Sequence, residues 1–108
     1  MMSFKNEMIA LLQNEEVTNL EIDSLLDKFI RLKISRYEAY NSLMEILREY
    51  EVIMVEKNSS YQERFDYISD VLTGITGDTS KSSIIRFDGD PEDIDLLAEV
   101  ASSKDWRQ

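Results

Sequence analysis

Cysteine and histidine are both missing from the 108 residues. The first absence excludes disulfides, thiolate metal sites and a cysteine nucleophile. The second removes the commonest general base and the commonest metal ligand. Proline occurs once and glycine three times, and the chain carries no low-complexity tract, no internal repeat and no interdomain linker. Long apolar runs are lacking as well. The opening "MMSFKNEMIALLQNEE" has no apolar run longer than the five residues Met8 to Leu12 before turning acidic, so it reads as neither a signal peptide nor a spanning helix, and a cytoplasmic location is expected. A glycine-rich phosphate loop and a serine with a partner base are absent too. An enzyme is not expected.

What is present is a core and an excess of acid. Hydrophobic residues make up 43% and charged residues 31% of the chain, enough apolar material at this length for one compact domain spanning 1–108. Twelve Lys and Arg stand against 22 Asp and Glu, a net charge of −10. Such a field repels nucleic acid and anionic membrane and speeds encounter with a basic protein. Solubility alone is the plain alternative.

The apolar spacing is helical. Phe4, Met8, Leu11 and Leu12 form one stripe, and Ile22, Leu25, Leu26, Phe29 and Ile30 a second. Tyr40, Leu43, Met44 and Leu47 form a third that continues toward Met54, and Phe65, Ile68, Leu72 and Ile75 a fourth. Thr18 with Glu21, Ser35 with Glu38 and Ser60 with Glu63 fit capping boxes before three of these stripes. Gly74 and Gly77 suit the end of the fourth helix, ahead of the polar loop "GDTSKSS". Asp90 followed by Pro91 announces a last helix with Ile94, Leu97 and Val100 on one face. The pattern predicts an all-α fold, an antiparallel bundle of four or five helices.

The stretch "RFDGDPEDIDLLAE" concentrates the charge: Asp88, Asp90, Glu92, Asp93, Asp95 and Glu99, with no base among them. A calcium loop needs Gly where Asp93 stands, and Pro91 stiffens it further. A glycosidase pair needs two carboxylates with divergent environments in a concave site, not acids gathered at an exposed helix start. Asp90 as N-cap, with Glu92 and Asp93 in the first turn, accounts for three acids through the helix dipole. No metal, cofactor or catalytic residue is expected. The remaining crowding favours a cationic partner.

From about Ser60 onward the order of features resembles the C-terminal half of the immunity proteins of nuclease colicins and related bacteriocins: a capped helix, "GDTSKSS", the short apolar "IIRF", the acidic turn "DGDPED", a final helix and the tail "DWR". The longer N-terminal part is similar instead to the broader set of helical immunity proteins, including those of tRNA-cleaving toxins and of contact-dependent growth inhibition systems. The resemblance implies a toxin-binding face that includes Ser83, Arg86 and Phe87, beside an acidic helix bearing Glu63, Asp66 and Asp70. Asp88, Asp90, Glu92, Asp93 and Asp95 add charge, and Trp106 joins Arg86 and Phe87 as an anchor. The expected function is to bind and neutralise a cognate basic nuclease toxin domain, with no direct contact to nucleic acid or membrane. The alternative is a helical adaptor or regulatory domain that homodimerises or binds another host protein, using Met8, Met44 and Met54 as adaptable contacts.

Overall fold

A computed structural model describes residues 3–107; Met1, Met2 and Gln108, including the first residues of the opening segment read above, lie outside it. Five α-helices follow in order: α1 (Phe4–Leu12), α2 (Asn19–Arg31), α3 (Arg36–Lys57), α4 (Gln62–Thr76) and α5 (Ile94–Ser102). Short 3-10 turns occupy Ser59–Tyr61, Lys81–Ser83 and Asp105–Arg107, and no strand occurs among the described residues. The fold is an all-α bundle. No described helix is long and apolar enough to cross a membrane.

The four predicted stripes supply most of the main core, although in the third only Leu43 and Met54 are buried, with Ile46 beside them, while Tyr40, Met44 and Leu47 are partly buried. Phe4, Met8, Leu12, Ile22, Leu26, Phe29, Leu43, Ile46, Phe65, Ile68, Leu72 and Ile75 are all buried in one cluster. Two helix pairs run antiparallel: Phe4 meets Phe29 edge to face at 5.3 Å, across the α1–α2 hairpin, and Arg36 at the start of α3 reaches the Ile75 carbonyl at the end of α4. Arg64, near the start of α4, donates to the Leu12 and Glu15 carbonyls and so caps α1 from outside. These bonds satisfy acceptors that a helix end leaves open.

The start signals divide. Thr18 and Glu21 form the full reciprocal box. Ser35 accepts from the Glu38 amide without the return bond. Ser60 does not cap α4: it sits inside the Ser59–Tyr61 turn, where Asn58 accepts from its amide at 3.0 Å, and α4 starts at Gln62 without a side-chain cap. Ser3, an unforeseen cap, accepts from Asn6 at the head of α1.

Helix α2 ends in a Schellman motif. The Ile34 amide donates to the Phe29 carbonyl and the Lys33 amide to that of Ile30, which forces Lys33 to φ 69°. Helix α4 ends as expected at Gly77, φ 75°, where an added Cβ would also lie 3.1 Å from Ala101 Cβ. Gly74 is not terminal. It is a buried position inside α4, where a Cβ would come within 3.1 Å of Ile85 and the Ser83 carbonyl. Its bareness lets the segment after Ser83 lie directly on α4, held by the Ile85 amide bonding the Gly74 carbonyl at 3.0 Å.

Helix α5 starts three residues later than the Asp-Pro signal indicated. Asp93, not Asp90, is the N-cap, accepting from the Asp95 and Leu96 amides. Asp90 is drawn elsewhere: its Oδ2 accepts from the Phe87 amide at 2.7 Å and from Arg36 at 2.5 Å. Nor does the whole face Ile94–Leu97–Val100 bury. Leu97 and Ala101 pack with Ile84 in a small satellite core, while Ile94 and Val100 stay exposed.

Candidate protein-binding cleft

Helices α2 and α4, separated in sequence by α3, are linked by the Tyr67–Asp23 hydrogen bond, and an open cleft of about 360 Å³ is lined by both. Asp23, Leu26 and Asp27 come from α2; Tyr67, Asp70, Val71 and Gly74 come from α4; Ser83 and Ile85 close one end. Leu26 and Val71 are buried and give the cleft an apolar floor. Asp27 and Asp70 are exposed at its rim.

Asp23 is held in place. The Tyr67 hydroxyl donates to it, lying 2.6 and 2.7 Å from the two carboxylate oxygens. Burial, then the hydrogen bond and charge of Asp23, and then the charge of Asp70 push the Tyr67 hydroxyl up to about 12. Tyr67 therefore stays protonated, and stays a donor, at any physiological pH.

None of the ion pairs among the described residues uses Asp23, Asp27 or Asp70. Those pairs join Lys5 to Glu45 and Glu49, Lys28 to Glu7, Arg36 to Asp90 and Lys81 to Asp95. The described carboxylates also form no group of three or more placed to hold a metal ion. Three uncompensated acids above an apolar floor focus negative potential. A matching ligand has a cationic head and an aliphatic stem, which describes a Lys or Arg side chain.

Of the residues singled out from sequence, Asp70 and Ser83 meet in this cleft. Glu63 and Asp66, exposed and spaced three and four residues apart up to Asp70, extend the acid along the same face of α4; Asp66 also accepts from Gln62 at 2.9 Å. Asp23, Asp27 and Tyr67 were not singled out. On α2 the two acids have the spacing of an ordinary solvated face, and only the packing of α2 beside α4 gives them a common purpose.

Other expected contacts are turned inward. Phe87 is 4% exposed and lies beneath the Arg36 guanidinium, 4.7 Å from ring centre to charge, so it is a core residue and not a free anchor. Asp90 is largely buried and spent on Arg36. Arg86 is exposed, but its guanidinium donates to the Pro91 and Glu92 carbonyls and closes the acidic turn on itself. Trp106 is half-buried; its indole N–H donates to the Ala101 carbonyl at 3.0 Å and its ring meets Tyr40 edge-on, so it acts as a lid on the bundle. Asp93 caps α5 and Asp95 pairs with Lys81. Asp88 and Glu92 remain exposed, outside the described ion pairs.

Comparisons with known protein families, with curated proteins and with solved structures find no match for this chain.

Proposed function

We propose that this protein is an immunity protein that binds and neutralises a basic nuclease toxin domain, and that the α2–α4 cleft receives the toxin's cationic side chains. One observation carries the reading: Asp23, Asp27 and Asp70 converge on an apolar-floored cleft and none has an internal cation among the described ion pairs. A nuclease must present Lys and Arg to phosphates, so an acidic surface occupies the same field as the substrate. With a net charge of −10, capture is steered from a distance and weakens as salt rises. The order of features from Ser60 onward, similar to that of nuclease immunity proteins, supports the same reading. The adaptor alternative keeps little of its methionine argument, because Met8 and Met54 are buried in the core and Met44 packs partly buried against it.

The test is co-purification of the N-terminally tagged protein with the C-terminal domain encoded by the reading frame directly upstream of its gene. A complex is expected that weakens with salt, and by at least about tenfold in the Asp23→Asn, Asp27→Asn, Asp70→Asn variant. Failure to bind that domain, or binding indifferent to the triple substitution, overturns the proposal.

A further inference from the structure

We propose that α5 carries a second docking surface, the ridge of Leu96 and Val100 bordered by Glu92, Asp93 and Glu99, and that its partner is a cationic amphipathic surface of another protein. It rests on the reading of the molecule as a binder of cationic partners, but it concerns a different face.

The apolar arc of α5 is wider than the support beneath it. Leu97 and Ala101 fill the satellite core against Ile84. Leu96 and Val100, one helical turn apart on the flank of that stripe, are 51% and 37% exposed. The helix bearing them is pinned at both ends. Asp93 caps its first turn, Lys81 pairs with Asp95 beside it, and Trp106 bonds the Ala101 carbonyl in its last turn. The ridge is thus preorganised, and a partner covering it orders little that is not already fixed.

Charge selects the occupant. Glu92, Asp93 and Glu99 are exposed and belong to none of the described ion pairs; of the bases near α5, Lys81 is taken by Asp95, Arg86 is bound to the Pro91 and Glu92 carbonyls, and Lys104 lies past the end of the helix. A second copy docking by two-fold symmetry would set these same acids against each other. A surface with apolar side chains ringed by Lys or Arg meets both the ridge and its border.

One segment of chain supports both elements: Ile84 packs under the buried face of α5, while its neighbour Ile85 lines the α2–α4 cleft.

The test titrates the isotope-labelled full chain with a synthetic amphipathic helical peptide bearing a leucine stripe between lysines, read by amide chemical shifts. Two control peptides replace the lysines by glutamate or the leucines by serine. Saturable shifts centred on 94–100 are expected with the first peptide alone, weakened at least about fivefold by Leu96→Ser with Val100→Ser. Both side chains are exposed, so shifts elsewhere report whether that variant keeps its fold. Shifts confined to α2 and α4 overturn the α5 surface and leave the cleft standing. Binding of no peptide counts against both surfaces. Equal binding of the serine peptide reduces the ridge to bare charge, and concentration-dependent shifts at 94–100 without peptide make the occupant a second copy; either result overturns the proposal.

Discussion

Arg36 and Asp90, 54 residues apart in sequence, form a 2.5 Å ion pair that ties the acidic turn to the start of α3. The guanidinium also donates to the Ile75 and Ile85 carbonyls and lies over the Phe87 ring. One side chain thereby fixes the end of α4, the extended segment after it and the turn that leads to α5. Lysine could not replace it, having neither the planar fork nor the stacking face.

Removing Asp90 leaves that buried cation without its counterion. Asp90→Ala should cost roughly 3–5 kcal/mol of stability in urea denaturation, whereas Asp88→Ala, two residues away and exposed, should change it by no more than about 0.5 kcal/mol. Equal effects at the two positions would show that the turn is held by something other than this pair.

Lys33 occupies the left-handed position that ends α2, at φ 69°. A side chain there strains the backbone and glycine does not, so Lys33→Gly is expected to stabilise the protein by about 1 kcal/mol. Thermal melts of the two proteins compare them directly, and a lower melting temperature for the variant refutes the assignment.

Gly77 is constrained twice, by φ 75° and by Ala101 Cβ lying 3.1 Å from any added Cβ. Gly77→Ala should therefore destabilise by roughly 2 kcal/mol. Its signature is regional: amides of α5 exchange faster with solvent, while those of α1 and α2 stay protected.

Tyr67 sets the behaviour of the cleft at high pH. Its folded-state pKa, about 12, lies above the ordinary value of 10.0. The stability it contributes is complete below pH 10.0 and is lost as pH climbs through about 12. Ultraviolet titration should show one tyrosine ionising late, and Asp23→Asn should bring that tyrosine back toward the ordinary range. An unchanged late transition in the variant would mean that burial alone sets the shift.

The bundle was legible because local rules decide it. Phe65, Ile68, Leu72 and Ile75 repeat with the helical period and are all buried, and Thr18 with Glu21 makes a box whose partners are three residues apart. The errors arise where a distant group outbids a local one. Asp90 has the flanking proline of an N-cap, yet a buried guanidinium from α3 claims its carboxylate and Asp93 caps the helix instead. Nothing near Arg36 announces this, since the first residue of a helix usually faces water. Ser60 loses its role to Asn58, two residues earlier, which caps the 3-10 turn Ser59–Tyr61. The cleft was half legible: Asp70 and Ser83 lie in the part of the chain whose order of features drew attention, but Asp23 and Asp27 needed the packing of α2 beside α4.

The opposed placement of Ile84 and Ile85 makes this part of the chain sensitive to parity. In extended backbone successive side chains alternate sides, so one residue inserted between Ser83 and Ile84 puts a new side chain under α5, Ile84 in the wall of the cleft and Ile85 in the place of Arg86. The satellite core under α5 would lose the Ile84 methyls to the wall of the cleft, although an uncharged insertion leaves the net charge as it was. Two inserted residues restore the alternation at the expense of a bulge. In the loop 78–80, whose side chains are all exposed, odd and even insertions should be tolerated alike. Length variation among chains built on this plan is therefore expected to be free within 78–80 and to come in pairs between Ser83 and Ile84.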